Sequence, residues 1–300
     1  MIKTFDEVIK AAAALEDKKL AVCKAENEEV LQAVEMARQA GIAQSILVGD
    51  EAKIKAMQQE LGYDTANYEY INSTDDQETA LEAVKLVSGG TADVLMKGVI
   101  DTATILKAVL NKEVGLRMSK VISHIALFSL PHYHKMLLVT DAAMNIAPDV
   151  DAKELIIKNA LHVTKALGIE EAKVAVVCAK ESVSDKMPAT LDAAELRERD
   201  IPGALVDGPF ALDNAVSKDS ARIKGIESPV AGDADIVLMP DIEGGNILYK
   251  ALGFLTDGKG AGIIVGARRP IVLTSRADEE EAKLNSIALA ILVSESMKEH

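Results

Sequence analysis

The sequence predicts an α/β protein of two domains, each built on a mainly parallel sheet flanked by helices. Three observations predict it. Short apolar, strand-like runs alternate with amphipathic helical stretches from one end of the chain to the other. The 300 residues are 49% hydrophobic and 27% charged, enough chain for two domains with sizeable cores. Only 3% are aromatic and none is Trp, so the cores must be filled by Ala, Val, Leu, Ile and Met, as between helices and buried parallel strands.

Thr4 and Glu7 form a capping box that opens a helix running through Leu15, and 20–23 reads as a buried strand. Asn27 caps a helix over 28–40 with Gly41 behind it, followed by strand 45–48, helix 51–61 and strand 68–71. Next come helix 77–87, strand 92–96, helix 102–110 and apolar runs at 121–127 and 136–139. The second half continues with helix 152–167, strand 173–178, helix 189–199, strand 204–206, helix 214–224, strand 234–239 and helix 245–255. Strands 262–265 and 271–274 and a last helix to about Met297 complete the chain. No linker or repeat period divides it. The polar, Pro-containing break Asn145-Ile146-Ala147-Pro148-Asp149 therefore marks the expected boundary, giving domains of 1–145 and 146–280. The stripe Leu284, Ile287, Ala288, Ile291, Leu292 predicts that the last helix, about 281–300, returns to the first domain.

A net charge of −14 argues against nucleic acid as a partner, because phosphate neutralisation needs a basic surface. A small anionic substrate would need a locally basic cleft, for which Lys97, Arg117, Arg268, Arg269 and Arg276 are the obvious sources. Cys23 and Cys178 lie inside apolar runs and read as buried thiols. The N-terminus shows no signal region and no apolar run approaches membrane-spanning length, so a cytoplasmic location away from membranes is expected. His132 and His134 have no Cys or acidic neighbour in sequence, and no metal is expected. A Walker loop, a GxGxxG fingerprint and a Ser-centred nucleophile elbow are all missing from the sequence.

The strongest chemical signal is Ser275-Arg276 where a strand-like run ends. The guanidinium fork matches phosphate oxygens and the hydroxyl adds a short donor and acceptor, so the pair can hold a phosphate. The acids that follow, Asp278 to Glu281, favour a helix start and supply candidate bases; pairing of Arg276 with them and simple capping is the alternative. Strand 92–96 delivers Lys97 and Gly98 to its C-terminal end, where open α/β sheets bind ligands, unless they are an ordinary surface lysine and turn glycine. Thr140, Asp141 and Asn145 follow another strand end and read as substrate-binding groups or as turn chemistry. Gly208 predicts a turn after strand 204–206. The Gly244-Gly245 pair before a helix is expected to offer backbone donors to an anion, with Asn246 and Lys250 on one face at i,i+4.

In order and spacing, the stretches 92–102, 139–148, 207–217, 234–250 and 267–290 resemble the phosphate acetyltransferase and phosphate butyryltransferase family, a likeness spanning nearly the whole chain from about residue 15. The runs Asp207-Gly208-Pro209-Phe210-Ala211-Leu212-Asp213-Asn214-Ala215-Val216 and Arg268-Arg269-Pro270-Ile271-Val272-Leu273-Thr274-Ser275-Arg276-Ala277-Asp278 are closer to the butyryl branch than to the acetyl branch. The resemblance implies isocitrate/isopropylmalate dehydrogenase-like domains, an active site in the interdomain cleft and a homo-oligomer. It implies exchange of CoA and phosphate on a short acyl group, by direct attack, with acyl-CoA, phosphate and acyl phosphate as partners and no cofactor beyond these substrates. By motif, Ser275 would hydrogen-bond the reacting carbonyl or thiol and Arg276 would bind phosphate. The acetyl branch carries an aspartate seven residues after that serine, where this chain has Ala282. Asp278, Glu281 or cationic stabilisation of the thiolate would then take its place. Phosphate acetyltransferase, an NAD-dependent dehydrogenase on the same fold and a non-catalytic CoA-binding protein are the alternative functions.

Overall fold

A computed structural model describes residues 1–273 and 280–299. In chain order the elements are α1 Phe5–Ala13, β1 Lys19–Cys23, α2 Glu28–Gln39, β2 Gln44–Gly49, α3 Glu51–Glu60, β3 Glu69–Asn72, α4 Asp76–Ser88, β4 Val94–Lys97 and α5 Thr102–Val109. There follow β5 Ser123–Ser129, β6 Leu137–Thr140, α6 Val150–Ala166, β7 Ala172–Val177, α7 Pro188–Glu198, β8 Ala204–Phe210, α8 Leu212–Val216 and α9 Lys218–Ile223. The last are β9 Ile236–Leu238, α10 Ile242–Phe254, β10 Lys259–Val265, β11 Ile271–Val272 and α11 Glu280–Ser296.

These elements form two compact units: a terminal unit of Phe5–Lys120 with Ala261–His300, and a central unit of Met1–Thr4 with Val121–Gly260. In the terminal unit the strands run in the order β3-β2-β1-β4-β11-β10. All its pairs are parallel except β10 with β11. The central unit orders its strands β5-β6-β9-β7-β8, with only β5 and β6 antiparallel. The crossing points lie at 4/5, 120/121 and 260/261, whereas the sequence places two, near 145 and 280. The 145–149 break lies inside the central unit because Asn145 donates to Ile122 O at 2.9 Å and Asp149 caps α6. Its proline marks the approach to a helix. α11 packs on α1 and α2 of the terminal unit, burying Ile287, Ala288 and Ile291.

Strands buried on both faces read as continuous apolar runs, and β1 does so, with Leu20, Ala21, Val22 and Cys23 all fully buried. Phe128, Leu137, Val139, Phe210 and Val237 form the corresponding core of the central unit. Carboxylates start many helices: Asp50, Asp75, Asp101, Asp149 and Asp241 each accept a bond from a first-turn N–H, which also suits the helix dipole. The helix expected over 214–224 is two short helices. Ser217 sits between them in an extended conformation, and its hydroxyl accepts from Ser220 N at 3.2 Å to start α9. The turn expected at Gly208 is instead a continuation of β8 through Phe210.

Candidate active site

In the terminal unit, β1, β4 and β11 run parallel, so they end on the same edge of the sheet. Cys23 is in register with Lys97, and Val272 with Met96. Leu273, the residue after β11, is therefore next in line with Lys97. Lys97 is half-buried and its Nζ donates to Gly98 O at 3.2 Å. Gly98 crosses directly over the end of β1, with its N–H donated to Cys23 O at 2.8 Å. A Cβ there would lie 2.0 Å from Lys24 O and 2.7 Å from Cys23 O, so only glycine permits this approach. Lys24 itself takes a left-handed φ of 60° and pairs with Asp76 at 2.8 Å. That bond holds the ammonium above its ordinary pKa. Burial, with help from Asp76 and Glu26, pushes the Cys23 thiol up to about 12, so it is inert as a nucleophile at neutral pH.

In the central unit β6 and β9 are parallel, so the loop after Thr140 and the loop into α10 emerge together. Asp141 is buried, and its carboxylate accepts from five donors: the N–H groups of His124, Ala143, Met144 and Asn145, and the side-chain amide of Asn145. Thr140 Oγ1 donates to His124 O at 2.9 Å. Both side chains hold the loop in shape. The first turn of α10 lies on that loop, where a Cβ on Gly245 would come within 2.0 Å of Asp141 O. Asn246 Nδ2 donates to Ala142 O at 3.1 Å, and Ile242 N–H to Ile146 O at 3.0 Å. The Gly244-Gly245 N–H groups are not presented to an anion as the sequence suggests. Gly244 donates to the Asp241 carboxylate at 2.8 Å and Gly245 to its carbonyl at 3.0 Å.

Lys250 lies one turn after Asn246, its ammonium 4.7 Å from the Tyr249 ring centre and 5.6 Å from that of Phe254. Tyr249 in turn meets His124 edge-on at 5.5 Å. Sequence reasoning missed Tyr249 and His124. Their signal would have been a half-buried aromatic next to a candidate cation, visible only once α10 packs against β5.

The candidates thus fall into two groups. Lys97 and Gly98 sit at the strand ends of the terminal unit, and Thr140, Asp141, Asn145, Asn246 and Lys250 at those of the central unit. Ser275, Arg276 and Asp278 lie outside the described residues. Arg268 and Arg269 precede β11 and so lie at the other end of the sheet from Lys97. Among the described residues no group of three or more His, Cys, Asp or Glu could hold a metal, and His134 is paired with Asp233 at 2.6 Å. No helix of the described chain is long and apolar enough to cross a membrane.

A two-unit, mainly parallel α/β chain that gathers ammonium and amide groups at strand C-terminal ends has the architecture of an enzyme for small anionic substrates. Comparison with known proteins narrows the class. Residues 4–83 and 75–291 match the family described as phosphate acetyl/butaryl transferase. The chain is 49% identical over 297 residues to the phosphate butyryltransferase of Clostridium acetobutylicum, covering 98% of this chain and 99% of that protein. It is 43% identical over 277 residues to the phosphate acetyltransferase of Thermotoga maritima, covering 91% and 94%. The crystal structure of a branched-chain phosphotransacylase from Enterococcus faecalis V583 matches with a TM-score of 0.83 at 36% identity, covering 92% and 99%. The chain belongs to the phosphate acetyl/butyryl transferase family.

Proposed function

We propose that the protein is a phosphate butyryltransferase, interconverting butyryl-CoA plus phosphate with butyryl phosphate plus CoA. The observation that carries this is the 49% identity to a phosphate butyryltransferase across 98% of the chain. A phosphate oxygen attacks the thioester carbonyl, the carbon–sulfur bond breaks and CoA leaves as a thiolate that takes up a proton. Ser275 hydrogen-bonds the reacting carbonyl or thiol, and Arg276 holds phosphate through its fork. Asp278 is the proposed proton acceptor when CoA attacks. Lys97, Asn246 and Lys250 supply cationic and amide contacts to the anionic substrates. Thr140, Asp141 and Gly98 position those groups, and Asn145 ties the loop to Ile122. CoA and phosphate are substrates, and no further cofactor takes part.

The enzyme is proposed to work in the cytoplasm as a homo-oligomer. The exposed Ile247 and Phe254 of α10 and Leu255 just after it support self-association, which light scattering across a dilution series tests by a mass that stays above 31.9 kDa.

The deciding assay is thiol release from acetyl-, propionyl- and butyryl-CoA, with and without phosphate. Phosphate-dependent release that is several-fold faster with butyryl-CoA is expected. A preference for acetyl-CoA would make the protein a phosphate acetyltransferase, a reading the 43% identity to such an enzyme keeps in view. Release without phosphate would indicate a thioesterase, and CoA binding with no release a non-catalytic binder.

A further inference from the structure

We propose that the terminal unit carries a second phosphate site, built around Arg268 and Arg269 at the end of the sheet opposite Lys97. The inference does not rest on the proposed reaction. A cavity of about 420 Å³ opens there, lined by both arginines together with Leu116, Met118, Met297 and Lys298. Arg269 lies two residues before β11, which is parallel to β4, and Lys97 closes the far end of β4. That separation is on the order of 10 Å along the strands.

The chain as a whole has 47 acidic residues against 33 Lys and Arg, so cations without acidic partners should be scarce. Yet among the described residues neither guanidinium is paired with a carboxylate. Arg268 donates from Nη2 to Gly115 O at 2.5 Å, and Arg269 from Nη1 to Ser294 O at 3.2 Å. The remaining N–H groups of both forks have no acceptor among those residues. The nearby acids do not cancel this charge, because they are matched by lysines: Asp93 with Lys298 at 2.6 Å, and Glu295 with Lys18 at 2.7 Å. The backbone holding the arginines is fixed as well. Arg268 N–H donates to Leu116 O at 2.8 Å, Ser119 N–H to Gly266 O at 2.9 Å, and Arg117 bridges Ala267. Two held, uncompensated forks beside one cavity match the oxygens of a phosphoryl dianion. The apolar walls formed by Leu116, Met118 and Met297 suit an organic body attached to it.

The shared chemistry is a phosphoryl group, free or carried on a small organic molecule. Calorimetric titrations with inorganic phosphate and with AMP, each with and without saturating CoA, which itself carries phosphoryl groups, probe both sources on the intact protein. Arg276→Gln serves as the background because it removes the phosphate ligand proposed for the reaction. In that background one site per chain should remain. Adding Arg268→Gln with Arg269→Gln should weaken it on the order of 100-fold, about tenfold for each fork lost. Adding the two lysine substitutions instead should weaken it less, because the charge stays. Tighter binding of AMP than of phosphate identifies an organic phosphate as the occupant, and the reverse identifies the free ion. In the Arg276-intact protein, the glutamine pair should leave phosphate-dependent CoA release unchanged. If the double substitution fails to fold, Arg269→Gln alone carries the test, since its bond to Ser294 O at 3.2 Å is longer than that of Arg268 to Gly115 O at 2.5 Å. The site does not exist if no binding occurs in the Arg276→Gln protein up to ~10 mM, or if the arginine substitutions leave that binding unchanged. A wild-type rate for Arg276→Gln would overturn the proposed reaction role of Arg276 and leave the second site standing.

Discussion

Replacing Asp141 tests whether its carboxylate is the keystone of the loop that seats α10. The carboxylate accepts from four backbone N–H groups and one side-chain amide. Hydrogen bonds to a charged group contribute about 1.5–3 kcal/mol each, so a simple sum over all the donors would equal the whole stability of a typical domain. The donors are not equal. His124 is buried and its N–H would lose this acceptor away from water, at about 1–3 kcal/mol, whereas Ala143 is exposed and Met144 and Asn145 half-exposed, so their groups regain water. Asp141→Ala should therefore cost about 3–5 kcal/mol in urea unfolding, at the upper end for a single substitution. Asp141→Asn keeps the volume and one acceptor but turns an NH₂ toward donors, and should cost about 2–4 kcal/mol. Asp149→Ala is the control: it removes an exposed N-cap bond to Ala152 N, worth about 1 kcal/mol. If both Asp141 variants unfold within ~1 kcal/mol of wild type, the carboxylate is not holding the loop.

Gly98→Ala should destabilise the terminal unit by about 3 kcal/mol or more, because the new methyl would meet the Lys24 and Cys23 carbonyls at 2.0 and 2.7 Å and backbone cannot step aside cheaply. A Gly98→Ala protein with an unshifted urea midpoint would show that the crossing over β1 can open without cost. Glu35 gives a pH signature. Its carboxyl is lowered to about 2, first by the Arg38 guanidinium and then by the Tyr68 hydroxyl and Gln39 amide. Its contribution is present above its unfolded value of ~4.3 and fades as pH falls toward about 2. Glu35→Gln should thus lower stability at pH 7 and flatten the acid limb of the stability curve; an acid limb identical to wild type would dismiss the linkage.

Much of this protein was legible in its sequence because the deciding signals are local. Apolar runs such as 20–23 and 94–96 announce strands buried on both faces, and Asp or Asn caps announce helix starts, so the element order and α/β class follow without knowledge of packing. The positions of Lys97 after a strand and of Asn246 and Lys250 along one helix follow from the same local signals. Pairing direction was not: β5 with β6 and β10 with β11 run antiparallel, a choice made by which edges meet. Nor was the work done by Asp141, whose sequence neighbours suggest a turn residue but whose partners include His124, seventeen residues away. The unit boundaries escaped local reading as well, because a proline before a helix looks the same inside a domain as between two. What the sequence determined by itself was the order of elements and the candidate donors. Tertiary structure alone decided which groups are already satisfied, as in Asp141 and the Gly244-Gly245 turn, and which have no acid among the described residues, as in Arg268 and Arg269. A hydrogen bond or an ion pair depends on distances across the fold that no local pattern encodes.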